Sequence, residues 1–343
     1  MSALPKSSRK PSVFEQALKD AIFTVVDPML GNPDSDLSKI ENNKEMQAQE
    51  MAKCAADPVY WTKSYCYTYA TLAQEGQRTV LFDLFPKQVE LINWIKERQS
   101  FKREDGQFGE DGLLEKSRDV GASWVCCAYA IHQWLFSKDF KAGFGSRKLE
   151  YVDKIGDPDS IFEKIRFAIR RLPDWMKPFG FKEAAHLQFC KILNPANGSV
   201  LTGEGGDGIG RGGRNAIYFV DESAFLERPH LADASLMANT NCRIDVSTPN
   251  GIGNSFYQKR FTMPPHRVFT LGWRDDPRKN QIWYDRMVAE KGSNLVRQEY
   301  DLDYTASLTG IFIPHEWVLA SVDLPLPAIG DVVCGFDVAE GGE

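Results

Sequence analysis

The stretch GLLEKSRDVGASWVCCAYA, residues 112–130, constrains this chain more than any other. An apolar run feeds a short polar loop, and an apolar helical stretch begins at once. A buried strand that turns so quickly into a helix is the arrangement in which an open α/β sheet presents loop amides and a helix N-terminus to a phosphate. The loop departs from the pattern G-x-x-x-x-G-K-[ST], whose lysine reaches the terminal phosphates and whose hydroxyl holds magnesium. Gly121 and Ser123 stand where the last glycine and the hydroxyl belong, Ala122 takes the lysine position, and Lys116 stands at the front of the loop. From this stretch alone the loop is a working variant, a dead loop or a chance match.

The surrounding pattern supplies the sheet. Short apolar runs at 112–116, 141–146, 216–221, 242–248 and 267–273 alternate with amphipathic stretches, notably 122–137 and 148–171, the latter split by GDPDS. Such alternation predicts an α/β fold, a mainly parallel sheet flanked by helices, with its ligand at the carboxyl ends of the strands. The chain has 343 residues, 43% of them hydrophobic and 12% aromatic, enough to bury the core of one large or two modest domains. Lys and Arg number 41 against 47 Asp and Glu, a formal charge of −6, so there is no global positive field and any nucleic-acid contact has to be a local patch. Seven cysteines without a C-x-x-C spacing point neither to a disulfide framework nor to a zinc site, and a reducing cytoplasm is expected. No run of 18 apolar residues is present, and the basic start MSALPKSSRKPS leads into no apolar segment, so no membrane partner is expected.

Two further stretches bear on chemistry. In AIYFVDES, four apolar residues deliver Asp221 and Glu222 to the end of a buried strand. Adjacent carboxylates there suit ATP hydrolysis, the first holding magnesium through water and the second polarising the attacking water. In STPNG, Ser247, Thr248 and Asn250 follow the apolar RIDV run and present two hydroxyls and an amide to the same sheet edge. Each signal alone has a plain structural reading, a solvated acidic turn or a proline–asparagine turn. Their order and spacing are what one nucleotide site on one sheet requires. Arg166, Arg170, Arg171 and Lys177 read as a solvated helix face.

With these motifs in place the chain resembles the large terminase subunits of tailed bacteriophages, ATP-driven DNA-packaging motors joined to a nuclease. KSRDVGAS looks like their lysine-first Walker A, IYFVDE like their Walker B, and STPNG like their coupling motif. DLFPKQVELI looks like their adenine-recognition segment, with Gln88 as base reader, and GSRKLEYVDK like the motif after their second strand. The loop GEGGDGIGRGGRN lies where these motors keep an arginine that reaches a neighbouring subunit's nucleotide, and CGFDVAEGGE looks like the first strand of an RNase H-like nuclease, with Asp337 as its first metal-binding carboxylate. One departure is Asp119, where the family often has a neutral residue.

The resemblance implies a P-loop NTPase fold of the ASCE or RecA-like kind and four regions. These are a helical N-terminal appendage (1–75), the ATPase domain (76–308), a linker (309–330) and a truncated nuclease start (331–343), with further nuclease carboxylates expected only in a longer chain. ATP and Mg2+ are the implied cofactors, with an ATP-binding set of Lys116, Ser117, Arg118, Asp119, Val120, Gly121, Ala122, Ser123 and Gln88. Lys116 would neutralise the β and γ phosphates, Ser123 and Asp221 would hold the metal, and Glu222 would orient the nucleophilic water. Arg118 is the candidate for charge stabilisation in cis and Arg211 in trans, with Arg214 its competitor. The implied partners are double-stranded DNA, a portal protein, a small terminase subunit and further copies of the chain in a ring, in the cytoplasm of an infected bacterial host. A helicase-like DNA translocase and a nucleotide-binding scaffold without hydrolysis are the alternatives.

Overall fold

The computed structural model describes residues 36–69, 78–306 and 321–322. Ten strands lie among them: β1 (Tyr67–Tyr69), β2 (Thr79–Leu81), β3 (Gly112–Lys116), β4 (Lys141–Ser146), β5 (Leu187–Gln188), β6 (Lys191–Leu193), β7 (Val200–Gly205), β8 (Ile217–Asp221), β9 (Arg243–Ser247) and β10 (Val268–Leu271). Eight of them form one sheet in the order β10-β3-β9-β8-β4-β7-β6-β5. From β10 to β7 every pairing is parallel, while β6 and β5 close one edge antiparallel. All five strand-like runs of the sequence are therefore strands of this sheet. The short edge pieces and the glycine-rich β7 (VLTGEG) carry no comparable apolar signal.

Burial explains the parallel heart. Ile217, Tyr218, Phe219 and Val220 of β8 and all five residues of β9 are buried, a continuous rather than alternating pattern that arises when helices cover both faces. The helix Ala122–Phe136 follows β3 and is buried nearly all round, with Tyr129 and Trp134 in the core as its apolar spacing implies. It packs against the helices Pro58–Tyr65, Pro86–Ser100 and Ile161–Arg170.

The described N-terminal helices are less separate than an appendage. Asp57 caps the helix Pro58–Tyr65 by accepting from the amides of Val59 and Tyr60 at 2.8 and 3.2 Å. Trp61 on that helix is fully buried and donates its indole N–H to Met176 Sδ at 3.3 Å. The carbonyl of Cys54, in the preceding helix Lys44–Ala56, lies 2.8 Å from His132 Nε2. β1 also pairs with β2 antiparallel, across the expected boundary at 75/76. The expected nuclease strand with Asp337, and the expected linker apart from 321–322, lie outside the described residues.

Arg166 corrects the reading of a solvated basic face. Its guanidinium is buried and grips both oxygens of Asp153, Nη1 to Oδ1 at 2.8 Å and Nη2 to Oδ2 at 2.7 Å, with Glu163 Oε1 at 2.7 Å and the Gln188 carbonyl at 2.8 Å. A planar guanidinium whose two terminal nitrogens each make two bonds ties the helix to β5, a structural use that charge spacing alone does not disclose.

Candidate active site

The loop 117–121 bridges the end of β3 and the helix beginning at Ala122. Gly121 caps that helix at φ 73°, and a Cβ there would stand 2.7 Å from Gln88 Nε2, so glycine alone turns the chain here without strain. Asp119 also lies in the left-handed region, at φ 57°. The loop borders a cleft of about 900 Å³ lined by Lys116 and residues 119–123 on one side and by Tyr69, Phe82, Phe85 and Gln88 on another. Gln88 is nearly fully buried; its Nε2 donates to the Val120 carbonyl at 3.0 Å and its Oε1 accepts from the Phe85 amide at 3.3 Å. Both ends of the amide thus hold the loop and the start of its own helix.

Two members of the expected binding set face elsewhere. Ser117 is fully buried, donating its hydroxyl to the Tyr300 carbonyl at 2.5 Å and its amide to the Leu271 carbonyl at 2.8 Å. The Arg118 amide donates to the Glu299 carbonyl at 2.7 Å, and its largely exposed guanidinium lies 3.5 Å from Glu299 Oε2. Neither residue lines the cleft, so the members of the expected set found at it are Lys116, residues 119–123 and Gln88. The front of the loop is instead fastened to the chain's later helices.

Lys116 is free. Among the described residues it has no hydrogen-bond or ion-pair partner, whereas the other two cations lining the cleft are engaged: Lys164 on the Asp159 carbonyl, and Arg278 on both oxygens of Asp276 at 2.8 and 2.7 Å. Opposite it, Ser123 Oγ donates to Asp221 Oδ2 at 2.8 Å, joining the loop to the end of β8 although β9 separates the two strands. A hydroxyl and a carboxylate oxygen at that separation fit a magnesium ion, which takes few protein ligands and completes its shell with water and substrate phosphates. The described residues hold no cluster of three or more His, Cys, Asp or Glu.

Glu222 sits at the start of the turn after β8 at φ 54°, its amide donating to Asp221 Oδ1 at 3.1 Å. Its carboxylate is held by Arg147, whose Nε donates to Oε2 at 2.9 Å. The pairing follows from register: Gly145 of β4 faces Val220 of β8, so the residues two further on in each chain emerge side by side. Ser247 and Asn250 hold the same turn from below. Ser247 Oγ accepts from the Ala224 amide at 3.3 Å, and Asn250 Nδ2 donates to the Ala224 carbonyl at 3.0 Å. Thr248 is buried between them in sequence, and Gln298 donates to the Pro249 carbonyl at 3.3 Å. The STPNG segment therefore links the turn bearing Glu222 to the helix Ser293–Glu299.

Arg211 lies on the loop between β7 and β8, exposed and, among the described residues, with no side-chain partner, as does Arg214. The loop beneath Arg211 is pinned: the Gly210 amide donates to Glu204 Oε2 at 2.6 Å, and Lys141 Nζ donates to the Gly212 carbonyl at 2.8 Å.

Two residues of the site have no role that the sequence assigns, although the first, Arg147, lies in the GSRKLEYVDK segment. Arg147 is visible only once β4 and β8 are known to be neighbours. Lys279 comes from beyond β10, with its ammonium on the loop's carbonyls, 2.5 Å from Asp119 O and 3.3 Å from Arg118 O. Burial pulls the Lys279 ammonium below the ordinary lysine value, against the opposing pull of Asp119 and Asp276.

The strand order, the loop and the acidic strand end define an α/β fold, a mainly parallel eight-stranded sheet flanked by helices, with a loop and a helix N-terminus at the carboxyl end of β3. No family model and no curated protein matches the chain. Among solved structures it is similar to the large terminase ATPase domain of Thermus phage P74-26, at 14% identity and a TM-score of 0.45 over 64% of this chain and 99% of that one. It is also similar to the large terminase of another thermophilic bacteriophage, in complex with ADP, at 13% identity and a TM-score of 0.46, and to the HK97 bacteriophage large terminase, at 10% and 0.46. The matches cover 64% and 74% of this chain and about half of those two, 54% and 50% respectively. The chain's own residues, rather than these likenesses, define its site.

Proposed function

We propose that this chain is the ATP-hydrolysing motor part of a large terminase subunit, which drives double-stranded DNA into a procapsid. The observation that carries the ATPase reading is the 2.8 Å bond from Ser123 to Asp221, made by a residue that lines the same cleft as Lys116, which has no side-chain partner among the described residues. The motif order supports the terminase assignment, and with it the portal protein, the small subunit, a homo-oligomeric ring and the host cytoplasm.

Magnesium, when bound, would supply positive charge that offsets the charge of the phosphates. Lys116 would meet the terminal phosphates, Ser123 and Asp221 would hold the metal, directly or through water, and Glu222 would orient the attacking water. Ser247, Thr248 and Asn250 would carry the change at Glu222 into the later helices. One observation favours the scaffold alternative: Glu222, the carboxylate assigned to the attacking water, is already paired with Arg147. A phosphate-release assay on the purified chain with ATP and Mg2+ decides between the two. Turnover above that of a Glu222→Gln control is the expected result, and nucleotide binding without release, with assembly of the subunits confirmed, establishes the scaffold.

Arg211 is proposed as the arginine supplied to a neighbouring subunit. An arginine on the transferring phosphate is worth about a thousandfold to a hundred-thousandfold in rate. Arg211→Ala and Glu222→Gln subunits, each inactive alone, are expected to recover part of the activity when mixed in assembled motors, since an intact Glu222 site then meets an intact Arg211. No recovery at any ratio with assembly confirmed counts against the role in trans.

A further inference from the structure

We infer that Lys279 is the positioning residue of the phosphate-binding loop, turning the amides of Asp119 and Val120 toward the cleft by holding the carbonyls behind them. This rests on the ATPase reading above. The geometry is a consequence of peptide planarity. In a trans peptide the carbonyl and the N–H of the same plane point in opposite directions. Lys279 Nζ binds the carbonyls of Arg118 and Asp119 at 3.3 and 2.5 Å, which belong to the peptides whose N–H groups are those of Asp119 and Val120. Asp119 and Val120 line the cleft, and among the described residues neither amide has a protein acceptor. Two backbone donors are thus aimed at the place where an anion would sit, and the cation that aims them stands on the opposite side of the chain.

Lys279 is itself well fixed. Its side chain is 5% exposed, with Asp276 Oδ2 at 3.7 Å, and its ammonium lies 5.1 Å from the centre of the Trp283 ring and 5.9 Å from that of Tyr300. Asp276 is fully buried and is shared with Arg278, which lines the cleft. Asp119 occupies the left-handed region at φ 57°, which aspartate tolerates better than most residues with a Cβ, and the bonds to the carbonyls of Arg118 and Asp119 brace the loop in that conformation. A compact, strongly charged three-donor group suits two carbonyls that an uncharged side chain would not hold.

The test compares Lys279→Met and Lys279→Arg with the wild-type chain by fluorescent-ATP binding, steady-state hydrolysis, melting temperature and hydrogen exchange. K279M is expected to weaken nucleotide binding and raise KM about tenfold, the scale of a misdirected charge-assisted hydrogen bond, with kcat changed less. Exchange should rise in the peptide spanning 117–121 but not in β8 or β9, and K279R should restore most of the affinity. Where K279M yields no folded protein, Lys279→Gln, which keeps a neutral donor, is read in the same way. An affinity within twofold of wild type overturns the inference. So does a loss of affinity that tracks a general fall in melting temperature and is not rescued by K279R. A wild-type chain that binds no nucleotide overturns the ATPase reading itself, and is told apart from the other results by the wild-type arm alone.

Discussion

Replacing Lys116 with alanine is expected to reduce ATP hydrolysis by at least about a hundredfold, the scale on which one preorganised donor to developing charge is worth in a water-poor site. The reasoning starts from which cations are available. Three line the cleft, and Lys164 and Arg278 are already spent on Asp159 and Asp276. Lys116 alone has no protein partner among the described residues, at the end of a strand whose previous residue, Glu115, is anchored by Thr270 Oγ1 at 2.6 Å and by Arg260 at 2.7 Å. The ordinary lysine position holds Ala122, which is buried and has no charge to offer. Lys116→Arg is expected to keep part of the activity, since the charge remains but its reach and shape differ. The measurement is phosphate release at saturating ATP, alongside a melting curve that shows the variant folded. Turnover near that of wild type in Lys116→Ala would remove the lysine-first loop from the mechanism.

What is legible in the sequence and what is not divides along a physical line. A strand buried on both faces, such as Ile217–Asp221, announces itself as a continuous apolar run, and a strand–loop–helix turn announces itself through Gly121. The meeting of Ser123 with Asp221 is legible too, because both belong to motifs whose places on a sheet are linked. Contacts that depend on which strands are neighbours are not. Arg147 reaches Glu222 only because β4 lies beside β8, and a local reading of GSRK gives no hint of it. Lys279 lies in a turn, DDPRKN, whose polar composition marks a loop and no more, yet the fold carries it to the back of the phosphate loop. The opposite error arises at Ser117 and Arg118, which adjacency in the motif places with the nucleotide and the later helices draw away. Arg166 misleads for a related reason: a helix face rich in arginine reads as solvated until its partners, Asp153 and Glu163, are seen to be buried with it.

Changing Glu222 to glutamine is expected to leave nucleotide and magnesium bound while slowing hydrolysis by about a hundredfold to ten-thousandfold, the range over which a positioned general base contributes. The separation follows from geometry. Ser123 pairs with Asp221, not with Glu222, so the metal-binding oxygens stay where they are when Glu222 loses its charge. Glutamine has the same length and retains a carbonyl oxygen that accepts from Arg147, so the turn after β8 should persist, held by Ser247 and Asn250 through Ala224. What disappears is the charge that draws a proton from the attacking water. The Arg147 pairing is no obstacle to this role in the wild-type chain. Its partners are 38% and 43% exposed, and an ion pair so open to water contributes at most about 1 kcal/mol, which binding of a nucleotide easily offsets. Arg147→Ala should therefore change affinity little, while its effect on turnover reports how far the pairing restrains the carboxylate. The decisive comparison is fluorescent-nucleotide affinity against phosphate release for Glu222→Gln. If affinity falls together with turnover, Glu222 holds the metal or the fold, and the assignment of the water-orienting role to it is wrong.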